Sequence, residues 1–514
     1  MARWFNTAGP CQPEDHYMIP PARRVPQIRR VIDQKHYFVL HAPRQSGKTT
    51  IVHGLAAELT AEGRYAAAWV SAEQGQPFDD IGAAEAAILG SWARAAQVLP
   101  AELQPPPWPA AAPGDRVQAA LAAWAKHCPR PLVVLIDEID ALRDDVLVSV
   151  LRQLRAGYPL RPELFPWSVA LVGLRDVRDY EVSAREEGRL GTASPFNIKV
   201  ESLTLSNFSL EEIAELYDQH TTETGQRFEP AAVARAHALT GGQPWLVNAL
   251  ARQAVEVLRP DPQEPVRAED IDLAARTLIE RQDTHLDSLS ARLREDRVRA
   301  VIEPMLAGES LDEVPRDDLR FLVDLGLLCW SSDGGLEVAN PIYREVIVRE
   351  LSTGPRASLP RLQPTWLDVG GRLVPEALCE AFLAFWRQHG DALRRSAPYH
   401  EVAAQLVLMA FLHRVANGGG TLEREYAIGR GRMDLCLRLG DVTVAMELKT
   451  WREGRPDPLP SGLAQLDGYL DGLGLPTGWL VIFDERTGAG PAASRTRRSR
   501  ARSPAGREIT IIHA

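Results

Sequence analysis

The chain has 514 residues, a formal net charge of −10 at pH 7, 45% hydrophobic residues and 25% charged residues. This length exceeds what one hydrophobic core supports, so we expect roughly three or four domains, and the ordinary balance of apolar and charged residues excludes a largely disordered chain. The negative charge excludes a uniformly basic nucleic-acid coat, so any DNA-binding surface must be local.

The cysteines and the apolar runs limit the cellular setting. Five cysteines lie far apart without a CxxC pair, which excludes a disulfide framework or a zinc knuckle and fits a reducing compartment. The first residues contain no signal-peptide-like run, and no stretch approaches the roughly 18 apolar residues of a membrane span. We therefore expect a soluble, cytoplasmic protein with no membrane partner.

Apolar runs typical of strands alternate with helical patterns in the first part of the chain. The runs are YFVLH from Tyr37, YAAAWVS from Tyr65, LVVLIDE from Leu132, SVALVG from Ser168 and VESLTL from Val200. This alternation predicts an α/β domain with a parallel sheet covered by helices on both faces.

The first run leads into a candidate phosphate-binding loop. In such a loop, backbone N–H groups and a helix N-terminus cradle the phosphates. Lys48 is expected to reach the β and γ phosphates and the Thr49 hydroxyl to bind Mg²⁺, although the first position of the GxxxxGK[ST] pattern is Ala42 rather than Gly. The candidate nucleotide contacts in this loop are Ala42, Pro43, Arg44, Gln45, Ser46, Gly47, Lys48, Thr49 and Thr50.

Charged residues follow two further runs. Asp137 is expected to hold Mg²⁺ through water and Glu138 to polarise the attacking water. An acidic pair after a buried strand can also be a simple helix N-cap. Arg175 follows the fourth run, where it would either sense the γ-phosphate or form a surface salt bridge.

These motifs together resemble the AAA-like ATPases of the STAND and archaeal-type group. The segments are FNTAGPCQPEDHYMIPPARR, APRQSGKTT, LIDEID, GLRD and the turn Gly242-Gln243-Pro244. The resemblance implies a P-loop ATPase core over residues 1–204 with ATP and Mg²⁺ as cofactors, and a helical lid over 205–285. It also implies that the segment before the loop packs on the adenine, with Tyr17 and Arg24 as candidates.

The next segment predicts a winged helix over residues 286–352. The sequence DDLRFLVDLGLLCWSSDGGLEVANPIYREVIVREL from Asp317 is typical of a helix, a hairpin around Asp333-Gly334-Gly335 and a closing helix. Winged helices often read DNA through the major groove, whereas in this ATPase group they commonly act as structural lids. The Pro- and Gly-bearing segment from Ser352 predicts a linker over 353–372.

The C-terminal part predicts a small α/β unit. Two amphipathic helices, around 375–390 and 399–416, precede strands near Tyr426, over 434–439 and over 442–448, and a last helix with two strands follows. Between the last two strands, six arginines among small residues predict a mobile basic loop. They are Arg495, Arg497, Arg498, Arg500, Arg502 and Arg507.

A candidate metal-dependent catalytic set lies on the predicted hairpin. Clustered carboxylates such as Asp434 and Glu447 hold Mg²⁺ against a scissile phosphate, and a lysine such as Lys449 positions the water. Glu447 and Lys449 share one strand face because side chains alternate. Charges inside the apolar run VAMELK are costly to bury unless they are paired or bind metal.

This set resembles the PD-(D/E)XK nuclease superfamily, which implies a restriction-endonuclease-like domain over residues 373–514. The resemblance adds Glu401 to the metal ligands and Gln465, with Tyr469, to the catalytic residues; Met433 replaces the proline of the motif. It implies DNA as a partner and Mg²⁺ or Mn²⁺ at the site. Arg430, Arg432 and the six arginines would follow a phosphate backbone or form a solvated insertion without a role.

The sequence leaves hypotheses of different classes open. The first is an ATP-regulated DNA nuclease, of a kind that resembles defence or mobile-element systems, with a homo-oligomer as one possible assembly. The second is a STAND-like switch whose C-terminal domain only binds a nucleic acid or protein partner. A third is a constitutive nuclease that the ATPase recruits.

Overall fold

The structure, a computed structural model, forms two compact units. The first unit comprises Met1–Arg281 and Arg320–Pro341, and the second comprises Gln282–Leu319 and Ile342–Ala514. The described residues are 3–175, 199–281, 286, 289, 291–307, 311, 314–331, 334–358, 363–396, 403–416, 420–428, 431–486 and 490–514.

A five-stranded parallel sheet organises the first unit. Its strands are β1 (Tyr37–His41), β2 (Ala66–Ser71), β3 (Leu132–Asp137), β4 (Ser168–Gly173) and β5 (Lys199–Thr204). Their order is β2-β3-β4-β1-β5, and every neighbouring pair is parallel. The predicted α/β class and the five predicted strands are therefore confirmed.

Helices cover both faces of this sheet because side chains of each strand alternate between two cores. On β3, Val134 and Ile136 enter one core, and Val133 and Leu135 enter the other. The helices Ile81–Ala95, Arg116–His127 and Asp144–Gly157 contribute to the first core. The helices Gln27–Asp33 and Lys48–Ala61 contribute to the second, and a short helix, Pro21–Arg24, precedes them.

Helices also follow β5, as the sequence predicts. They are Leu210–Thr224, Pro230–Thr240, Pro244–Gln253 and Ala268–Arg281, with a π-helical turn at Ala254–Leu258. A reciprocal pair of hydrogen bonds between Ser209 and Glu212 caps the first of these helices, an arrangement that satisfies two N–H groups at the helix start.

The segment expected to form a winged helix has the predicted order of elements. Helix Arg316–Asp324 precedes the hairpin of β6 (Leu328–Trp330) and β7 (Leu336–Val338), and helix Pro341–Ser358 follows. Assignment as a winged helix stays a prediction. The last helix extends into residues 353–358, so the beginning of the predicted linker is helical instead.

A six-stranded mixed sheet organises the second unit, in the order β12-β13-β11-β10-β9-β8. Its strands are β8 (Thr421–Ile428), β9 (Gly431–Leu439), β10 (Val442–Trp451), β11 (Thr477–Asp484), β12 (Arg497–Arg502) and β13 (Glu508–His513). The helices are Asp296–Ala307, Pro375–Ser396, Ala403–Ala416, Leu459–Leu473 and Ala492–Arg495. The α/β composition matches the prediction.

The prediction of a mobile loop for the arginine-rich segment is wrong. Residues Arg497–Arg502 form β12, which pairs antiparallel with β13 over six residues. The hydrogen bonds to β13 hold in place a segment whose composition alone suggested no regular structure.

None of the described helices is long and apolar enough to cross a bilayer.

Two glycines with left-handed backbone conformations provide a matched test of the turn at Gly242, between the helices Pro230–Thr240 and Pro244–Gln253. A Cβ on Gly242 (φ +73) would lie 2.0 Å from the carbonyl oxygen of Phe208, whereas one on Gly225 (φ +83) would meet nothing within 4 Å. We expect Gly242→Ala to lower the free energy of unfolding by about 3 kcal/mol and Gly225→Ala by about 1 kcal/mol. Urea unfolding followed by tryptophan fluorescence measures both; equal losses would contradict the clash.

Candidate functional site

The loop between β1 and the helix Lys48–Ala61 is shaped to receive an anion. Gln45 and Gly47 have left-handed backbone conformations, with φ of 56 and 92, and the Ser46 hydroxyl donates to the Pro43 carbonyl at 2.7 Å. The loop thereby turns sharply before the helix begins. The residue that precedes the helix, Gly47, has no side chain to cap it, and the N–H groups at the helix start, with the helix dipole, can stabilise a bound anion.

Lys48 folds back across this loop. Its Nζ donates to the carbonyls of Ala42 at 2.8 Å and Pro43 at 2.9 Å. Burial lowers the pKa of Lys48. Three carboxylates at the end of β3 and just after it oppose that effect: Asp140, Glu138 and Asp137. A bound phosphate would add further negative charge beside this half-buried ammonium.

The acidic residues at the end of β3 lie in a constrained turn. Asp137 is 1% exposed, accepts from Trp69 Nε1 at 3.2 Å and accepts from the Glu138 N–H at 3.0 Å. Glu138 has a φ of 53, a left-handed conformation that is uncommon for this residue type and is concentrated at functional sites. Its side chain makes no capping hydrogen bond to the turn Ile139–Ala141, contrary to the simple N-cap alternative.

The surroundings of the Glu138 carboxyl shift its pKa. Partial desolvation is the largest cause, and the charges of Asp140 and Asp137 add to it, so the pKa of Glu138 is raised. A raised pKa brings a carboxylate closer to the range in which it can exchange a proton with water.

Asp140 is a site residue that the sequence reasoning missed. Its Oδ1 is buried without a hydrogen-bond partner among the described residues, and a Cβ on Gly173 would lie 2.8 Å from that oxygen. The Gly173 carbonyl accepts from the N–H of Ala42 at 3.3 Å, so Asp140 lies beside the start of the loop. The signal was the third acid in LIDEID. A buried acceptor of this kind fits a site that also receives a hydrated cation.

Arg175 forms a salt bridge, which is the alternative that the sequence left open. Its Nε lies 2.8 Å from Asp324 Oδ2, and its guanidinium lies 5.3 Å from the centre of the Phe321 ring. The two charged side chains are 4% and 15% exposed, so the pair is buried rather than at the surface. A role for Arg175 at the γ-phosphate stays a prediction.

Two other segments contact the loop directly. Gln243 accepts from the Leu246 N–H at 2.6 Å and donates through Nε2 to the Gln45 carbonyl at 3.3 Å. A Cβ on Gly326 would lie 2.6 Å from the Pro43 side chain. The helical turn at Gly242 and the turn after helix Arg316–Asp324 therefore both contact the backbone or side chains of the loop.

Three of the residues predicted to lie at the nucleotide form contacts with other groups of the protein. The Tyr17 hydroxyl lies 3.3 Å from His220 Nδ1, and its ring is 1% exposed. Arg24 pairs with Glu212 at 2.6 Å, and the Thr50 hydroxyl accepts from the Cys11 N–H at 3.0 Å. Adenine contacts of Tyr17 and Arg24 stay predictions. The Thr50 contact joins the N-terminal segment to the helix of the loop.

The second candidate site contains an ion pair on β10 between a buried carboxylate and a half-buried lysine. Lys449 Nζ lies 2.8 Å from Glu447 Oε1, and Glu447 is 2% exposed, which confirms the prediction of a shared strand face. Glu401 and the side chain of Asp434 lie outside the described residues, as do Arg430 and the side chain of Arg432. Among the described side chains, no three His, Cys, Asp or Glu residues are grouped to hold a metal ion.

The predicted QxxxY pair lies on the helix Leu459–Leu473. Tyr469 is 6% exposed and packs in the core between this helix and the sheet, whereas Gln465 is exposed. The core packing of Tyr469 is sufficient to account for its position. A catalytic role for Gln465 stays a prediction.

Comparison with known proteins gives remote likenesses. No family model and no curated protein match the sequence. A Walker-type ATPase of Pyrococcus abyssi shares 11% identity over 67% of this chain and 99% of that chain, with a TM-score of 0.47. The Thermotoga maritima RuvB Holliday junction branch migration motor shares 16% identity over 63% and 92%, with a TM-score of 0.35. The Aeropyrum pernix Orc1 protein, solved in complex with DNA, shares 15% identity over 66% and 94%, with a TM-score of 0.35.

A double-mutant cycle tests the buried Arg175–Asp324 pair. We expect Arg175→Ala and Asp324→Ala each to lower the free energy of unfolding by about 3 kcal/mol, because each leaves a buried charge behind. The double variant should lose less than the sum, with a coupling of about 1–3 kcal/mol. The exposed pair Arg235–Asp272, with side chains 45% and 39% exposed, is the control, and its coupling should stay below about 1 kcal/mol. Equal couplings would show that burial does not strengthen the Arg175 pair.

Proposed function

We propose that the first unit binds and hydrolyses ATP at the loop before Lys48. The observation that supports this most strongly is the start of the helix Lys48–Ala61, where Gly47 offers no capping side chain and two loop carbonyls hold the Lys48 ammonium. A helix start of this kind and a half-buried cation together form a binding site for a polyanion such as a triphosphate.

The residues around the loop suggest separate roles. Lys48 would exchange its bonds to loop carbonyls for bonds to phosphate oxygens. The Thr49 hydroxyl and Asp137 would hold Mg²⁺, which neutralises phosphate charge during transfer. Glu138, with its raised pKa and its exposed side chain, would orient the attacking water. Asp140 would accept a hydrogen bond from the hydrated site.

We further propose that ATP acts as a conformational switch through the segments that contact the loop. Gln243 touches the loop backbone, and Gly326 touches Pro43. Asp324 holds Arg175 close to the end of β4. A γ-phosphate would compete with Asp324 for the Arg175 guanidinium, since both are anions. Binding of ATP would then loosen helix Arg316–Asp324.

The proposed output of the switch is DNA cleavage by the second unit. The Glu447–Lys449 pair supports this proposal, because a buried carboxylate on an apolar strand is costly unless it is paired or binds a metal ion. Asp434, Glu401 and Gln465 would complete the set, with Mg²⁺ or Mn²⁺ bound by the carboxylates. The alternative is a switch whose second unit only binds a nucleic acid or protein.

Nucleotide binding and hydrolysis can be separated by two variants. We expect Lys48→Ala to weaken binding of a fluorescent ATP analogue more than tenfold, because the phosphates lose the ammonium held beside the loop. Glu138→Gln should retain binding while hydrolysis falls by about 10²–10⁴-fold. Lys126→Ala, at an exposed lysine on the helix Arg116–His127, is the control and should match the wild type. Normal binding by Lys48→Ala would refute the assignment of the loop.

Cleavage of a DNA panel with Mg²⁺ or Mn²⁺, with and without ATP, tests the proposed output. We expect cutting to be lost in Glu447→Gln and Lys449→Ala, which remove a metal ligand and the positioning amine. Glu376→Gln, at an exposed carboxylate of the same unit, should cut normally. ATP should change cutting only when Lys48 is present. An absence of cutting with ATP hydrolysis intact would favour the binding-only alternative.

A further inference from the structure

Strand β12 presents four arginines at the edge of the second sheet. The strand has the sequence RRSRAR and pairs with β13 at one end of the strand order. Five of its six residues are exposed and the sixth, Ala501, is half-buried. Side chains on both faces of the strand therefore reach solvent. We call Arg497, Arg498, Arg500 and Arg502 the arginine strand.

The other two arginines of the segment, Arg495 and Arg507, form ion pairs within the fold. Arg507 forms ion pairs with Asp467 and Asp471, each at 2.7 Å. Arg495 is 13% exposed and lies 4.0 Å from Asp391. These two guanidinium groups are used within the fold. The six arginines of the segment therefore do not form one functional group.

Within the arginine strand, internal ion pairs are few and exposed. Arg498 lies 3.1 Å from Glu380 and Arg500 lies 2.6 Å from Glu508, and the side chains of the second pair are 60% and 62% exposed. Arg497 and Arg502 have no ion pair in the part of the chain that the structure describes. Exposed pairs contribute about 0–1 kcal/mol, so an incoming anion can displace them at low cost.

The geometry of a strand arranges these charges in a row. Alternate residues lie on one face, about 6.6 Å apart along the strand. Arg498, Arg500 and Arg502 thus form a line of guanidinium groups on one face. Guanidinium groups bind phosphate oxygens through paired N–H donors. A line of such groups fits a ligand whose phosphates also repeat along a line.

Other partners fit less well. Insertion into a membrane surface needs large apolar side chains beside the basic ones, and the strand has none. A peptide added to the sheet edge would need side-chain pockets for specificity, whereas this strand offers charge on both faces. The chain as a whole has a net charge of −10, so the positive charge of the arginine strand is a local feature and favours a local binding site for an anion.

We propose that the arginine strand binds the sugar-phosphate backbone of a nucleic acid. The inference extends the proposed DNA-directed role of the second unit, but it concerns binding and holds whether or not the protein cuts. Such binding is independent of base sequence, because only phosphates are contacted. It also depends steeply on salt, because each contact releases counterions.

The test is the salt dependence of DNA binding by the full chain in EDTA, where metal-dependent cutting is absent. Fluorescence anisotropy of short labelled duplex and single-stranded DNA gives the slope of log Kobs against log salt. Replacing all four arginines by glutamine should reduce the slope for duplex by up to about 3.6, at about 0.9 per phosphate contact. The same four positions changed to lysine should retain most of the slope.

A matched control removes equal charge elsewhere. Arg64, Arg143, Arg235 and Arg252 are exposed and paired in the first unit, and their change to glutamine should leave the slope near the wild-type value. An equal fall in both variants, or an unchanged slope in the arginine-strand variant, overturns the proposal. The pair Arg500→Gln with Arg502→Gln is the milder variant if the fourfold change unfolds the protein, and its slope should fall by up to about 1.8.

Two further measurements distinguish the remaining outcomes. If polyglutamate displaces the labelled DNA as effectively as unlabelled DNA does, the proposal is overturned in favour of an acidic protein partner. ATP hydrolysis and DNA cutting are measured on the same preparations. If neither activity is detected but the slope falls as expected, the proposed function fails while the arginine strand remains a nucleic-acid surface.

Discussion

The half-buried Lys48 ammonium is the constraint around which the first unit is arranged. Removing a charge from water is costly unless other groups compensate it, and here two loop carbonyls and three nearby carboxylates do so. The carbonyls can reach the lysine only because the loop turns through left-handed conformations at Gln45 and Gly47. The carboxylates reach the site because β3 and β1 are both parallel neighbours of β4. Their carboxyl ends therefore lie at the same edge of the sheet, where ligands of open α/β sheets bind.

Segments that could respond to a bound ligand also contact the loop at this edge of the sheet. Gln243 and Gly326 contact the loop, and Asp324 neutralises Arg175. Each of these contacts depends on the position of a few backbone atoms. A ligand that moves the loop or attracts Arg175 alters them directly, and a difference in affinity between two arrangements is what a conformational switch requires.

Charge is used differently in the second unit. The Glu447–Lys449 pair lies inside an apolar strand, where ion pairs are expensive and are therefore unusual without a function. The arginine strand lies at the sheet edge, where charge discourages aggregation as well as attracting anions. A row of exposed arginines in an acidic chain acts over a short range because salt screens it. Strands β13 and β11 lie between the arginine strand and β10 in this sheet.

The sequence by itself determined the five strands of the first sheet, the loop at Lys48, the acidic end of β3 and the shared face of Glu447 and Lys449. These features follow from periodicity and short spacings, which act locally. Tertiary structure alone decided that Arg175 pairs with Asp324, that Gln243 reaches Gln45, and that a buried carboxylate oxygen of Asp140 lies beside Gly173. Tertiary structure also decided that the arginine-rich segment, predicted as a loop, forms β12. Its hydrogen-bond partner, β13, lies beside it only once the sheet has assembled. Contacts between residues distant in sequence depend on how the chain packs, and no local pattern encodes them.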